Sequence, residues 1–278
     1  MKTVAIVGVG LIGGSFALAL RKAGFAGDIL GVSSRKAIDT AREAGVIDHG
    51  VPLEEAAEAD LVYLAQPVDR ILDTLATLGP IAVPSCLITD AGSTKAAIVR
   101  QAAAHVRSAR FLGGHPMAGK ESRGVESAEP GLFAGRPYVL MPFEGSDDCP
   151  EAKFAGWLNR MGARVLTMTP EQHDAAVAWS SHLPQLLSTA LSLALSRAAN
   201  PDIERVAGAG LIDMTRLALS SADLWRSILE TNSEPVLEAL NALIGQLTNI
   251  KIHLQDDKLV TLWGESSTFA RYLRRQAN

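Results

Sequence analysis

A chain of 278 residues with 47% hydrophobic and 20% charged residues has the make-up of a globular protein of one large or two modest domains. A net charge of −4 without any basic tract argues against nucleic acid as a partner. Two cysteines, Cys86 and Cys149, without ligand spacing argue against a disulfide framework or a metal site and fit a reducing cytoplasm. No apolar run is long enough to span a membrane, and the N-terminus does not read as a signal peptide.

Val4 to Val7 is a nearly all-apolar run, as expected of a strand buried on both faces of a parallel sheet. Gly8-Val9-Gly10-Leu11-Ile12-Gly13 follows directly, and helical spacing runs from Leu11 to Ala23. GxGxxG between a strand and a helix is the dinucleotide fingerprint. Gly8 allows the tight turn, Gly10 lets the backbone approach a pyrophosphate, and Gly13 lets helix pack on strand. The amides at the helix start, from Leu11 and Ile12 onward, then face the phosphates. The second strand is expected over Asp28 to Val32. A carboxylate at its end would hold the ribose 2′-hydroxyl, but the stretch reads Ser33-Ser34-Arg35. Two hydroxyls and a guanidinium suit a 2′-phosphate, so NADP is the expected cofactor, with NAD as a second possibility.

Strands and helices keep alternating. A helix is expected over Arg35 to Ala44, a short strand near Val46, a helix over Leu53 to Glu58 and a strand over Leu61 to Ala65. Gln66-Pro67-Val68 opens the next helix. Further strands are expected over Leu87 to Asp90, Phe111 to Gly113 and Tyr138 to Met141, and Ala91-Gly92-Ser93-Thr94-Lys95 opens a helix running to about Val106. Such βα repeats imply an α/β fold with a doubly wound parallel sheet, and ligands bind beyond the carboxyl ends of its strands. The loops after Ala65, Asp90 and Gly113 therefore draw attention to Gln66, Pro67, Ser93 and His115. Ser93 could equally cap its own helix. A histidine at the sheet's carboxyl edge, beside the nicotinamide, is a candidate base for a dehydrogenase.

Past Pro170 the pattern becomes wholly helical, with helical spacing from Glu171-Gln172-His173-Asp174 through Leu195, then over Gly208 to Ala218, Ser233 to Leu254 and Asp257 to Arg275. The expected division is 1–170 for a dinucleotide-binding Rossmann domain and 171–278 for an all-α domain whose apolar helices form a homodimer. Pro184, two residues after His182, should kink its helix and mark a site. Arg216, in an apolar segment nine residues before Trp225, suits a substrate carboxylate.

The segments GVGLIGGS (8–15), DAGSTK (90–95), GGHPMAGKE (113–121), SHLPQ (181–185) and DMTRLALSSADLW (213–225) occur in one order across nearly the whole chain. Together they resemble the prephenate and arogenate dehydrogenase family of tyrosine biosynthesis. The resemblance implies oxidative decarboxylation of a cyclohexadienol with hydride transfer to the nicotinamide. It implies that His115 takes the proton of the substrate hydroxyl and that Ser93 hydrogen-bonds His115 and that hydroxyl. It further implies that His182 and Trp225 line the substrate pocket, Arg216 binds a substrate carboxylate, Glu121 lies at the pocket entrance, and the C-terminal helices form a homodimer.

Two positions depart from the family's pattern: Gln185 stands where many relatives have histidine, and Ile212 where many have Lys or Arg. Less positive charge there suits the ammonium of arogenate better than the anionic side chain of prephenate. A prephenate preference within the same family is the alternative. Two further readings compete. A β-hydroxyacid or imine-reducing dehydrogenase would need a catalytic lysine, for which Lys153 and Lys251 are poor candidates. A non-catalytic nucleotide sensor would have no use for a proton acceptor.

Overall fold

The computed structural model describes residues 1–120 and 122–277. By packing, the chain forms two compact units, Met1–Asn232 and Ser233–Asn278.

The first unit opens with alternating strands and helices: β1 (Thr3–Val7), α1 (Leu11–Lys22), β2 (Asp28–Val32), α2 (Arg35–Glu43), β3 (His49–Gly50), α3 (Leu53–Ala56), β4 (Leu61–Leu64), α4 (Val68–Leu78), β5 (Leu87–Asp90), α5 (Ala96–His105) and β6 (Arg110–Leu112). The six strands form one parallel sheet in the order β3-β2-β1-β4-β5-β6. Reversal of strand order between β1 and β4 opens the crevice in which such sheets bind ligands. The central strands β4 and β5 are buried at every position, because helices cover both faces. On one face α4 presents Ile71, Leu75 and Leu78, spaced one helical turn apart, to a core that includes Val62, Leu64 and Ile88. On the other, Phe16 of α1 stacks on Tyr63 of β4 with ring centroids 3.8 Å apart.

Three strand expectations need correction, and one strand was not expected. No strand forms at Val46. The left-handed turn at Gly45 (φ 66°) sends Val46 and Ile47 into the core, and pairing with β2 begins only at His49. Phe111 to Gly113 is not a single strand. β6 ends at Leu112, and β7 (Gly114–Pro116) starts a second sheet. The strand at Tyr138 belongs to that sheet, as β8 (Pro137–Leu140). It runs antiparallel to β7 and parallel to β9 (Arg164–Thr167), which follows α6 (Pro150–Arg160). The sequence reading had no counterpart for β9, whose exposed positions blur its alternation. The Tyr138 hydroxyl reaches that of Tyr63 at 3.1 Å, so a buried tyrosine pair links the two sheets.

From Pro170 onward only helices occur: α7 (Pro170–Val177), α8 (Leu183–Arg197), α9 (Asp202–Arg205), α10 (Ala209–Thr215) and α11 (Ala222–Thr231) in the first unit. Thr169 starts α7 with a capping box, accepting from the Gln172 amide while the Gln172 side chain accepts from Thr169 N–H. Between α7 and α8, residues Ala178–His182 form a wide π-type turn. Pro184 lies just beyond it, where a missing N–H leaves the helical ladder free to widen. The second unit is a pair of long helices, α12 (Ser233–Ile252) and α13 (Lys258–Ala277). Among the described residues no helix is long and apolar enough to cross a membrane.

Candidate active site

The glycine turn after β1 has the geometry its spacing predicts. Gly8 takes φ +97°, and a Cβ there would lie 2.8 Å from the Ala65 carbonyl. A Cβ on Gly13 would lie 2.2 Å from the Gly8 carbonyl oxygen, so only hydrogen lets α1 sit this close to β1. Gly10 faces open space, and no side chain caps the N-terminus of α1. Free helix-start amides beside an open approach are what a diphosphate needs. The adjoining cavity of about 340 Å³ is lined by Leu11, Ile12, Gln66, Pro67 and Ser93, to which Lys120 and Arg123 add positive charge. Gln66 is held in place by the Thr74 hydroxyl, which donates to its Oε1 at 2.8 Å. These residues fit a nicotinamide dinucleotide.

The Gly8 amide donates to the Val32 carbonyl at 2.9 Å, which brings the end of β2 to the same edge. Ser33, Ser34 and Arg35 are exposed there. Ser34 caps α2 through the Ala37 amide, and among the described residues Arg35 makes only a 3.9 Å contact with Asp39.

A second cavity, of about 360 Å³, is lined by Ser93, His115, Met117, Ser181, His182 and Trp225 among others. Ser93 lines both cavities and so stands at their junction. His115 sits on β7, and the residue before it is fixed twice. The Gly114 amide donates to Asp90 Oδ1 at 3.1 Å, and its carbonyl accepts from Lys95 Nζ at 2.8 Å. Lys95 also forms a fully buried ion pair with Asp90. His182 packs edge-on to Trp225, with ring centroids 5.7 Å apart. Burial first, then the neighbouring His173, Lys95 and His182, holds the His115 imidazole well below its ordinary pKa of 6.5. Burial pushes His182 down to about 4.

Four expected residues thus converge: Ser93, His115, His182 and Trp225. Arg216 and Gln185 lie outside the lining of this cavity. Arg216 is exposed and starts a short 3-10 turn, Arg216–Leu219, that α8 holds at two points. Gln185 Nε2 donates to the Leu217 carbonyl at 2.8 Å, and the Ala218 amide donates to Ser188 Oγ at 3.1 Å. Ile212 is exposed on α10. Glu121 lies outside the described residues.

Ser93 does not cap its helix. α5 begins at Ala96, and its first amides, of Lys95 and Ala96, donate at 2.7 and 2.8 Å to the carboxylate of Asp174 on α7. Nor does Ser93 occupy Nδ1 of His115, which lies 2.8 Å from Nε2 of His173. His173, Asp174 and Asn232 are buried and were assigned no role from sequence. The only signal was a His-Asp pair inside an otherwise ordinary helix start.

A family model described as the prephenate dehydrogenase nucleotide-binding domain matches residues 16–167. One described as the prephenate dehydrogenase dimerization domain matches residues 169–267. The chain is 33% identical to the prephenate dehydrogenase of Bacillus subtilis (strain 168), covering 97% of this chain and 75% of that protein. It is 29% identical to the cyclohexadienyl dehydrogenase of Zymomonas mobilis, covering 90% and 87%. The crystal structure of Aquifex aeolicus prephenate dehydrogenase with hydroxyphenyl propionate and NAD+ superposes with a TM-score of 0.91 at 32% identity, covering 98% of each chain. Synechocystis arogenate dehydrogenase superposes at 0.81 with 31% identity, covering 98% and 99%. With its dinucleotide cradle, its histidine-lined cavity and family matches along nearly its whole length, the chain belongs to the prephenate/arogenate dehydrogenase family of NAD(P)-dependent oxidoreductases.

Proposed function

We propose that the protein oxidatively decarboxylates arogenate in preference to prephenate, using NADP in preference to NAD, in tyrosine biosynthesis. The carrying observation is Ser93 at the junction of the two cavities, with His115 beside it in the second. A bound nicotinamide supplies the acceptor for a hydride from the hydroxyl-bearing ring carbon. Gly8, Gly10, Leu11, Ile12, Gly13, Gln66 and Pro67 would hold that dinucleotide. His115 accepts the hydroxyl proton at Nε2. As the ring carboxylate departs as carbon dioxide and the ring becomes aromatic, the same proton returns to the phenolic oxygen. Ser93 hydrogen-bonds the reacting hydroxyl, while His182 and Trp225 wall the substrate in. Arg216 binds a substrate carboxylate, and Glu121 stands at the entrance.

Two observations favour the finer assignments. Gln185 is 6% exposed, and its Oε1 is buried without a hydrogen-bond donor among the described residues. A neutral amide at this position adds no positive charge to attract the anionic side chain of prephenate, which favours arogenate. At the end of β2, the exposed Ser33, Ser34 and Arg35 carry no carboxylate to oppose a 2′-phosphate. Prephenate remains the second reading, favoured by likeness to the Bacillus and Aquifex prephenate dehydrogenases.

Residues 1–170 are proposed as the dinucleotide-binding domain and 171–278 as the substrate-binding and dimerisation domain. Val260, Trp263 and Phe269 of α13 are more than 60% exposed, as an apolar face awaiting a second copy would be. A four-way assay of arogenate or prephenate with NADP or NAD, following reduced nicotinamide, tests the reading. The arogenate and NADP pair should give the highest kcat/KM. Faster turnover of prephenate would overturn the substrate preference, and faster turnover with NAD the cofactor preference. No turnover with any pair would overturn the activity.

A further inference from the structure

We propose that His173 and Asp174 hold the proton of His115 on Nδ1, so that Nε2 is a ready acceptor, and that Asn232 holds the opposite tautomer on His182. The inference rests on the reading of His115 as the proton acceptor.

The donor and acceptor roles follow from groups that can play only one part. The Asp174 carboxylate is acceptor-only and takes three donors: Lys95 N–H at 2.7 Å and His173 Nδ1 at 2.8 Å on Oδ1, and Ala96 N–H at 2.8 Å on Oδ2. His173 Nδ1 therefore carries a proton. In a neutral imidazole that leaves a lone pair on Nε2, and this atom lies 2.8 Å from His115 Nδ1. His115 Nδ1 must then be the donor, and its Nε2 is the unprotonated nitrogen.

On the other side, the Asp174 backbone carbonyl accepts from Asn232 Nδ2 at 2.8 Å, which fixes the orientation of that amide. The same Nδ2 lies 3.2 Å from His182 Nδ1. An amide nitrogen only donates, so His182 Nδ1 accepts and its proton sits on Nε2.

Two imidazoles in one cavity are thus set in opposite senses, His115 as acceptor and His182 as donor, and both settings trace to Asp174. Its carboxylate acts through His173 and its carbonyl through Asn232. His173 and His182 are at most 1% exposed, and Asp174 and Asn232 are 3% exposed, so water does not compete for these bonds. When His115 takes up a proton, its Nδ1–H bond to His173 becomes charge-assisted, with the Asp174 carboxylate at the far end. His173, Asp174 and Asn232 are positioning residues; none of them lines the substrate cavity.

The direct test is long-range 1H–15N correlation on the full chain labelled with 15N-histidine, ligand-free at neutral pH. Signals are assigned by their loss in His115→Asn and His182→Asn. The expected result is a proton on Nδ1 of His115 and on Nε2 of His182. A proton on Nε2 of His115, or a doubly protonated His173, would overturn the inference without need of any further variant. Kinetics supply a second arm. His173→Leu should lower kcat about 10- to 100-fold with KM and cofactor affinity nearly unchanged, and His173→Gln, which keeps an acceptor, should recover much of that loss. Wild-type kcat in His173→Leu would overturn it as well. Full turnover in His115→Asn would instead remove the base assignment, while the proton positions would still be read directly.

Discussion

Lys95 and Asp90 form an ion pair with both side chains fully buried, and the same ammonium donates to the Gly114 carbonyl at 2.8 Å. Burial lowers the pKa of Lys95, and the Asp90 carboxylate opposes that shift. Removing one partner of such a pair leaves a charge without compensation and costs about 3–5 kcal/mol. Lys95→Met should therefore lower Tm by roughly 10 °C in a protein of this size, read by thermal melting. A melt within a degree or two of wild type would mean that Asp90 finds another partner.

The glycine turn separates folding from binding. Gly13→Ala forces a Cβ to within 2.2 Å of a backbone oxygen, so it should destabilise the fold and abolish cofactor binding together. Gly10→Ala meets nothing within 4 Å and should leave Tm unchanged. It should nonetheless weaken dinucleotide binding at least about tenfold, since that open space is the proposed approach of the pyrophosphate. Parallel melts and cofactor titrations check both. Equal affinity in Gly10→Ala and wild type would contradict the cradle.

His115 is held well below 6.5 and His182 near 4, burial being the largest cause for each. On the role proposed for His115, a neutral base is then present below pH 6.5, and the acid limb of kcat/KM should fall at lower pH than an ordinary imidazole would give. The same depression links pH to stability. Both imidazoles protonate more readily in the unfolded chain, so their contribution is complete above about pH 6.5 and is lost as pH falls below it, for His182 down to about 4. For His182 alone the loss amounts to about 3 kcal/mol. Denaturant melts across that window should show the decline, and His182→Asn should make it shallower.

Gln185→His replaces the buried amide with a group able to carry positive charge. The ratio of kcat/KM for prephenate over arogenate should rise about tenfold, as expected when a group able to carry positive charge is brought near the anionic side chain of prephenate. An unchanged ratio would place substrate discrimination elsewhere.

Arg35 is exposed and only loosely held by Asp39, so its loss should not affect folding. Arg35→Ala should raise KM for NADP about tenfold while leaving KM for NAD alone. Equal effects on both cofactors would remove the 2′-phosphate assignment.

The cofactor half of this protein was legible from residues alone. Val4 to Val7, the three glycines and the helical spacing after them are local signals: Gly8 and Gly13 make the close approaches their positions predict, and Gly10 faces the open space its position predicts. The βα alternation likewise pointed to a parallel sheet covered by helices, while the spatial order of its strands came from the tertiary structure. The histidine-lined site was legible only in outline. His115 and His182 could be singled out, but their settings depend on groups distant in sequence: His173 lies 58 residues from His115, and Asn232 lies 50 from His182. The cap of α5 comes from Asp174, 79 residues beyond Lys95. Strand β9 and the pairing of β7 with β8 were hidden for the same reason. Periodicity and turn chemistry report what a residue does with its near neighbours. Which nitrogen of a buried imidazole holds the proton is decided by whichever group packing brings against the other nitrogen, and only the tertiary structure decides that.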